Sequence, residues 1–163
     1  MTTPDATPET RPAYDPVEHG GDWITTTLSV SALEGYRQFS DMAKLPVWFP
    51  LVDSVDIRSR HPDGAPERVG VVARNAAGTV AYELRYQFEP DAMCIRWTTE
   101  ADAAVYVSGW AQFTPLSPVA CLMEYQLYVD RRDLPKWRDP FFENHAPSAV
   151  LHHFRDYINR HFH

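Results

Sequence analysis

Three tyrosines, Tyr82, Tyr86 and Tyr125, stand on the apolar parity of strongly alternating segments, and seven histidines are spread along a chain of 163 residues. These are the side chains here that could hold or move a proton. A tyrosine hydroxyl donates to a carbonyl or an oxyanion, and an imidazole takes up or returns a proton near neutral pH. The charged residues fall on the opposite parity, so the inward faces show no Asp, Glu or Arg to complete an acid-base pair.

His145, His152 and His153 are the candidates for a metal site. There is no His-Glu-x-x-His, and no carboxylate or cysteine sits at ligand spacing beside them. Adjacent residues on a helix point about 100° apart, so at most one of His152 and His153 would face a site shared with His145. No metal is expected. A Ser/His/Asp elbow, a Gly-rich phosphate loop and a dinucleotide fingerprint are also missing, so no cofactor is expected.

The elements that must position these groups are legible in order. Residues 1–22 carry Pro4, Pro8, Pro12 and Pro16 among acids and threonines, and read as a disordered or loosely ordered polar leader before a single domain over 23–163. Trp23 to Val30 has the β-branched and aromatic make-up of a strand. Ser31 with Glu34 forms a capping-box pattern for a short helix to about Ser40, with Leu33, Tyr36 and Phe39 on its apolar face. Asp41 caps a second turn that Pro46 should end. The stiff run Trp48-Phe49-Pro50 then makes a rim.

From Ser54 onward period-two alternation dominates, broken by turn signals at His61-Pro62-Asp63-Gly64, Ala77-Gly78 and Glu89-Pro90-Asp91. Val80, Tyr82, Leu84, Tyr86 and Phe88 share one face. The same reading turns Met93, Ile95 and Trp97 inward, then Val105, Val107, Gly109, Ala111 and Phe113, then Cys121, Met123, Tyr125, Leu127 and Val129. Asp130 to Phe142 is too long for a tight turn and fits a lid or entrance loop. A last helix from about Pro147 to Phe162 carries the stripe Val150, Leu151, Phe154, Tyr157, Ile158 and Phe162.

A formal charge of −7 argues against a nucleic-acid partner, because phosphate binding draws on clustered Lys and Arg. No segment reaches the ~18 apolar residues of a membrane span, so no stable membrane insertion is expected. Cys94 and Cys121 lie in apolar-patterned strands without metal or redox spacing, which suits a reducing, cytoplasmic setting. The inward residues Trp48, Tyr82, Tyr86, Trp97, Phe113 and Tyr125 either fill a core or line a cavity for a planar, hydrophobic small-molecule ligand.

The chain resembles the START-related superfamily, often abbreviated SRPBCC, which gathers polyketide cyclases, lipid-transfer domains, coenzyme-Q-binding proteins and plant pollen allergens. The resemblance runs from about Trp23 to Arg160. It is carried by Leu45-Pro46-Val47-Trp48-Phe49-Pro50 with Val52-Asp53-Ser54-Val55, by Tyr82-Glu83-Leu84-Arg85-Tyr86, by Ile95-Arg96-Trp97, by Gly109 to Leu116, and by Met123-Glu124-Tyr125-Gln126-Leu127. It implies an α+β helix-grip fold: a curved antiparallel sheet of about seven strands around a long C-terminal helix, with two short helices after the first strand. Members similar to this chain often have an aromatic residue two positions after the glycine, where Ala111 stands here, and the smaller side chain would leave room for a ligand.

What the resemblance implies about function is binding or transport of a hydrophobic compound, such as a lipid, an isoprenoid or an aromatic polyketide-like molecule, in an internal cavity. Trp48, Tyr82, Tyr86, Trp97, Ala111, Phe113, Tyr125 and Phe154 are the ligand-binding candidates. A polyketide cyclase, aromatase or dehydratase using cavity Tyr or His groups is the alternative, and a protein-interaction module on the same fold is a second one. No catalytic residue is singled out, and oligomeric state is not legible.

Overall fold

The computed structural model describes residues 22–75, 78–100, 106–130 and 147–162. Except for Asp22, the expected leader falls outside these residues, and so does the expected lid beyond Asp130. The elements follow in order: β1 (Asp22–Leu28), α1 (Ala32–Ser40), a 3-10 turn (Met42–Lys44), α2 (Leu45–Trp48), β2 (Val52–Arg60), β3 (Pro66–Asn75), β4 (Gly78–Glu89), β5 (Cys94–Thr98), β6 (Tyr106–Ser117), β7 (Ala120–Asp130) and α3 (Pro147–His161).

Ser31 turns the chain from strand to helix. Its hydroxyl accepts a hydrogen bond from the Glu34 amide at 3.1 Å, satisfying one free donor of the first turn. Only half of the expected capping box forms, because the Glu34 carboxylate accepts from Gln38 Nε2 at 2.7 Å instead. The buried face of α1 is Ala32, Gly35, Tyr36 and Phe39. Leu33, expected on that face, is 47% exposed. Gly35 is required by close approach, since a Cβ there would lie 3.0 Å from the Phe113 ring.

The expectation that Pro46 ends the second turn is corrected. Pro46 sits in the first turn of α2 and Phe49 ends it, with the Phe49 amide bonded to the Leu45 carbonyl at 2.9 Å. A proline lacks an N–H, and in the first turn of a helix none is needed.

Seven strands form one antiparallel sheet in the order β1-β7-β6-β5-β4-β3-β2. The alternation sorts as expected: Leu84, Tyr86, Ile95, Trp97, Val107, Ala111, Phe113, Cys121, Met123 and Tyr125 are buried. The opposite face of β2 to β5 carries exposed ion pairs, among them Arg74 with Asp53 at 2.7 Å and Arg58 with Glu83 at 3.1 Å. Each such pair is worth about 0–1 kcal/mol, so they mainly keep that face wet. Trp110 and Gln126, paired across β6 and β7 on the same outer parity, are nevertheless fully buried. Alternation alone would have left them in water.

α3 packs on β1 and β7, burying Val150, Leu151, Phe154, Tyr157 and Ile158. The Tyr157 hydroxyl donates to Gln38 Oε1 at 3.0 Å, tying α3 to α1. Between sheet and helices sits Phe39, whose ring centroid lies 5.1 to 6.2 Å from those of Phe154, Trp48, Trp97, Phe113 and Tyr125. This is the helix-grip arrangement. No described helix is long and apolar enough to cross a membrane.

Phe39 joins α1 to α2, α3 and three strands of the sheet at once, so Phe39→Ala is expected to cost about 3–5 kcal/mol, the range for removing a buried ring without collapse of the space. Urea unfolding checks this. A loss under 1 kcal/mol, with the denaturant slope unchanged, would mean that the five surrounding rings close up without it.

Candidate functional site

Below α3 a partly open cavity of about 80 Å³ remains between sheet and helices. β4, β5, β6 and β7 supply one wall through Tyr82, Leu84, Tyr86, Trp97, Val107, Tyr125 and Leu127. The helical side supplies Phe39, Leu45, Trp48 and Phe49, with Val52 at the start of β2 and Val150 from α3. Strand parity explains the first group. The second depends on how α1 and α2 cross the open end of the sheet, a long-range fact without local sequence signal.

Five of the eight candidate residues therefore line one cavity, Tyr82, Tyr86, Trp97 and Tyr125 from the strands and Trp48 from the helical side. The other three do not. Ala111, Phe113 and Phe154 are fully buried and are not part of the lining, and the Phe39 ring packs against Phe113 and Phe154. Ala111 lies between Ile95 and Tyr125 in the sheet. Gly109, one residue pair away, has its own role: a Cβ there would overlap the Trp97 indole, so the bare backbone lets that ring lie flat on β6.

The polar content of the wall is small and of one kind. Among the described residues, neither the Tyr82 nor the Tyr86 hydroxyl has a hydrogen-bond partner, and the buried Trp48 Nε1 has none either. The Tyr86 ring packs against Phe88 and Trp97, and its backbone carbonyl lies 2.7 Å from His61 Nε2. Burial pushes both tyrosine hydroxyls well above the ordinary tyrosine range, and for Tyr86 the neighbouring Tyr82 adds to the rise. Both remain protonated donors at neutral pH and neither can act there as a base.

No described wall residue is a carboxylate, histidine or lysine. His153, on α3, is half-buried and packs with its ring 5.6 Å from Phe49, which does line the cavity. Burial, and then the neighbouring His152, lower its pKa, so it is neutral near pH 7. His145 lies outside the described residues. Among the described residues no group of three or more His, Cys, Asp or Glu is placed to hold a metal ion.

No family model and no curated protein matches this sequence. Solved structures do match in shape. A START superfamily protein from Mycobacterium smegmatis superposes with a TM-score of 0.72 at 16% identity, over 86% of this chain and 97% of that one. An aromatase/cyclase from Streptomyces sp. R1128 gives 0.69 at 14% identity, over 88% and 95%. Norcoclaurine synthase from Thalictrum flavum, in complex with dopamine and hydroxybenzaldehyde, gives 0.63 at 12% identity, over 88% of each chain. At these identities the likeness establishes a shared START-like fold.

Two outcomes follow from the site geometry. In ultraviolet titration, the difference between the parent chain and Tyr86→Phe is expected only beyond the ordinary tyrosine midpoint near 10. Because the unfolded chain releases this proton first, the hydroxyl stabilises the fold below about pH 10 and that contribution is lost as pH rises further. A difference curve centred at 10 would show a solvated hydroxyl. Separately, Gly109→Ala is expected to cost about 1–3 kcal/mol, as overpacking does. Near-ultraviolet circular dichroism should register displacement of Trp97, and an unchanged spectrum with unchanged stability would refute the contact.

Proposed function

We propose that this protein binds a small, largely apolar compound in the cavity under α3. The observation that carries the reading is the wall itself: aliphatic and aromatic side chains enclose a space next to unpaired hydroxyl and indole donors. A core that existed only for stability would fill such a space, since empty volume forfeits packing energy.

The volume narrows the class. About 80 Å³ is below the roughly 300–1,000 Å³ of pockets that engulf drug-sized ligands. A single ring with short substituents suits it better than a long-chain lipid or a full polycycle, unless such a ligand leaves part of itself outside. The norcoclaurine synthase complex with dopamine and hydroxybenzaldehyde is a precedent for single-ring compounds in a chain of this shape. Burial of apolar ligand area, at about 25 cal/mol per Å², supplies the affinity. Trp48 and Phe49, on the helical side, fit an entrance role. Cys94 and Cys121 are buried free thiols, consistent with a reducing compartment such as the cytoplasm.

The second reading is a cyclase or dehydratase, favoured by the match to an aromatase/cyclase and by tyrosines able to donate to an enolate oxygen. It lacks a base among the described wall residues, and that lack puts binding first. The two readings separate on Tyr82→Phe and Tyr86→Phe, which would change affinity modestly in a binder and turnover severely in an enzyme.

Native mass spectrometry against a library of single-ring and fused-ring compounds tests the proposal. Uptake of one discrete compound is expected in the parent chain, with loss of uptake in Val107→Phe, which places a ring in the cavity. If the parent takes up nothing, or if a folded Val107→Phe binds as well as the parent, the cavity is not the binding site.

A further inference from the structure

The donors around the cavity carry information about the occupant's chemistry beyond its size. Trp48 Nε1 is a donor only, and it is buried with no partner. Tyr82 and Tyr86 stand four residues apart on the same face of β4, with Leu84 between them, both without hydroxyl partners among the described residues, and both held protonated by their surroundings. Leaving a buried donor such as Trp48 Nε1 unpaired is costly, and no acceptor among the described residues lies within hydrogen-bond reach of it. No described wall residue carries a formal charge, so neither an anion nor a cation would find a counterion there.

We infer that Tyr82, Tyr86 and Trp48 form a donor set that selects uncharged ring compounds bearing a hydrogen-bond acceptor, such as an aryl ketone, an aldehyde or a phenol ether. The inference rests on the cavity-binding reading and adds to it a rule of selection. Apolar contact with Phe39, Trp97 and Leu84 would hold the ring of any such compound. The donors would then distinguish a carbonyl from a plain hydrocarbon of the same shape. A carboxylate would be rejected, because its charge would be stripped of water with no cation to receive it.

Three compounds of nearly equal shape test this by isothermal titration calorimetry on the full chain: indane, 1-indanone and 1-indanecarboxylate. The expected result is that both neutral compounds bind, with 1-indanone tighter by roughly 3- to 10-fold, the worth of one neutral hydrogen bond, and the carboxylate weakest. Tyr82→Phe, Tyr86→Phe and Trp48→Phe keep the ring while removing the donor. At least one of them should bring 1-indanone down to the affinity of indane and leave indane unchanged.

Equal binding of indane and 1-indanone to the parent chain would overturn the donor set while leaving cavity binding intact. It would mean that water alone satisfies these groups. Carboxylate binding as tight as that of the ketone would overturn it too. If neither neutral compound binds, the donor set and the binding reading fall together. The comparison of three ligands on the parent chain is decisive even if a variant fails to fold.

Discussion

The contact on which the rest of this structure depends is the seating of Phe39. Its ring is shared by α1, α2, the β5 to β7 part of the sheet, and α3, with five aromatic centroids within 6.2 Å. Tilted and edge-on aromatic pairs add about 0.5–1.5 kcal/mol each beyond the area they bury. Phe154 completes the same set of contacts from the side of α3, packing on Phe39, Trp48 and Phe113. Because Phe39 also stands on the cavity wall, the same ring that closes the core decides how much space is left beside it.

The concave face accordingly has two parts. Phe113, Phe154, Met123 and Ala111 are fully buried, with Phe39 packed against Phe113 and Phe154. Tyr82, Tyr86, Trp48 and Leu84 line the remaining gap, and Trp48, whose ring also lies 5.0 Å from that of Phe154, joins the two parts. Stability and recognition thus use neighbouring parts of one surface.

The fold was largely legible because a sheet covered on one side writes its pleat into the chain. Tyr82, Leu84 and Tyr86 could be assigned to the inside from alternation with Glu83 and Arg85, and Ser31 and Pro147 marked helix starts through hydrogen-bonding limits that act locally. The site was legible only by halves. Trp48, Tyr86, Trp97 and Tyr125 reach the wall by strand parity or by the stiff Trp48-Phe49-Pro50 run, but that Phe39 of α1 also lines it depends on how a distant helix packs on the sheet. Pro46 misled because the same missing N–H that ends a helix is harmless at its beginning. Trp110 and Gln126 misled because parity reports which face a side chain leaves from, and not what lies over that face.

The sheet order has a consequence for how the chain is made. β1 is at one edge and its partner is β7, so Asp22 finds Leu127 roughly a hundred residues later. At ribosomal speeds of 5–20 residues per second, the first strand waits roughly 5–20 s before its partner exists. Such pairing over a long loop is slow to form and leaves an edge open in the meantime. The alternating threonines Thr25 and Thr27, exposed in the finished fold, give that waiting strand a water-compatible side. β2 through β6, each pairing with its neighbour in sequence, can assemble as they emerge. The last event is then a joint one, in which β1 and α3 dock together at the β7 edge of the sheet.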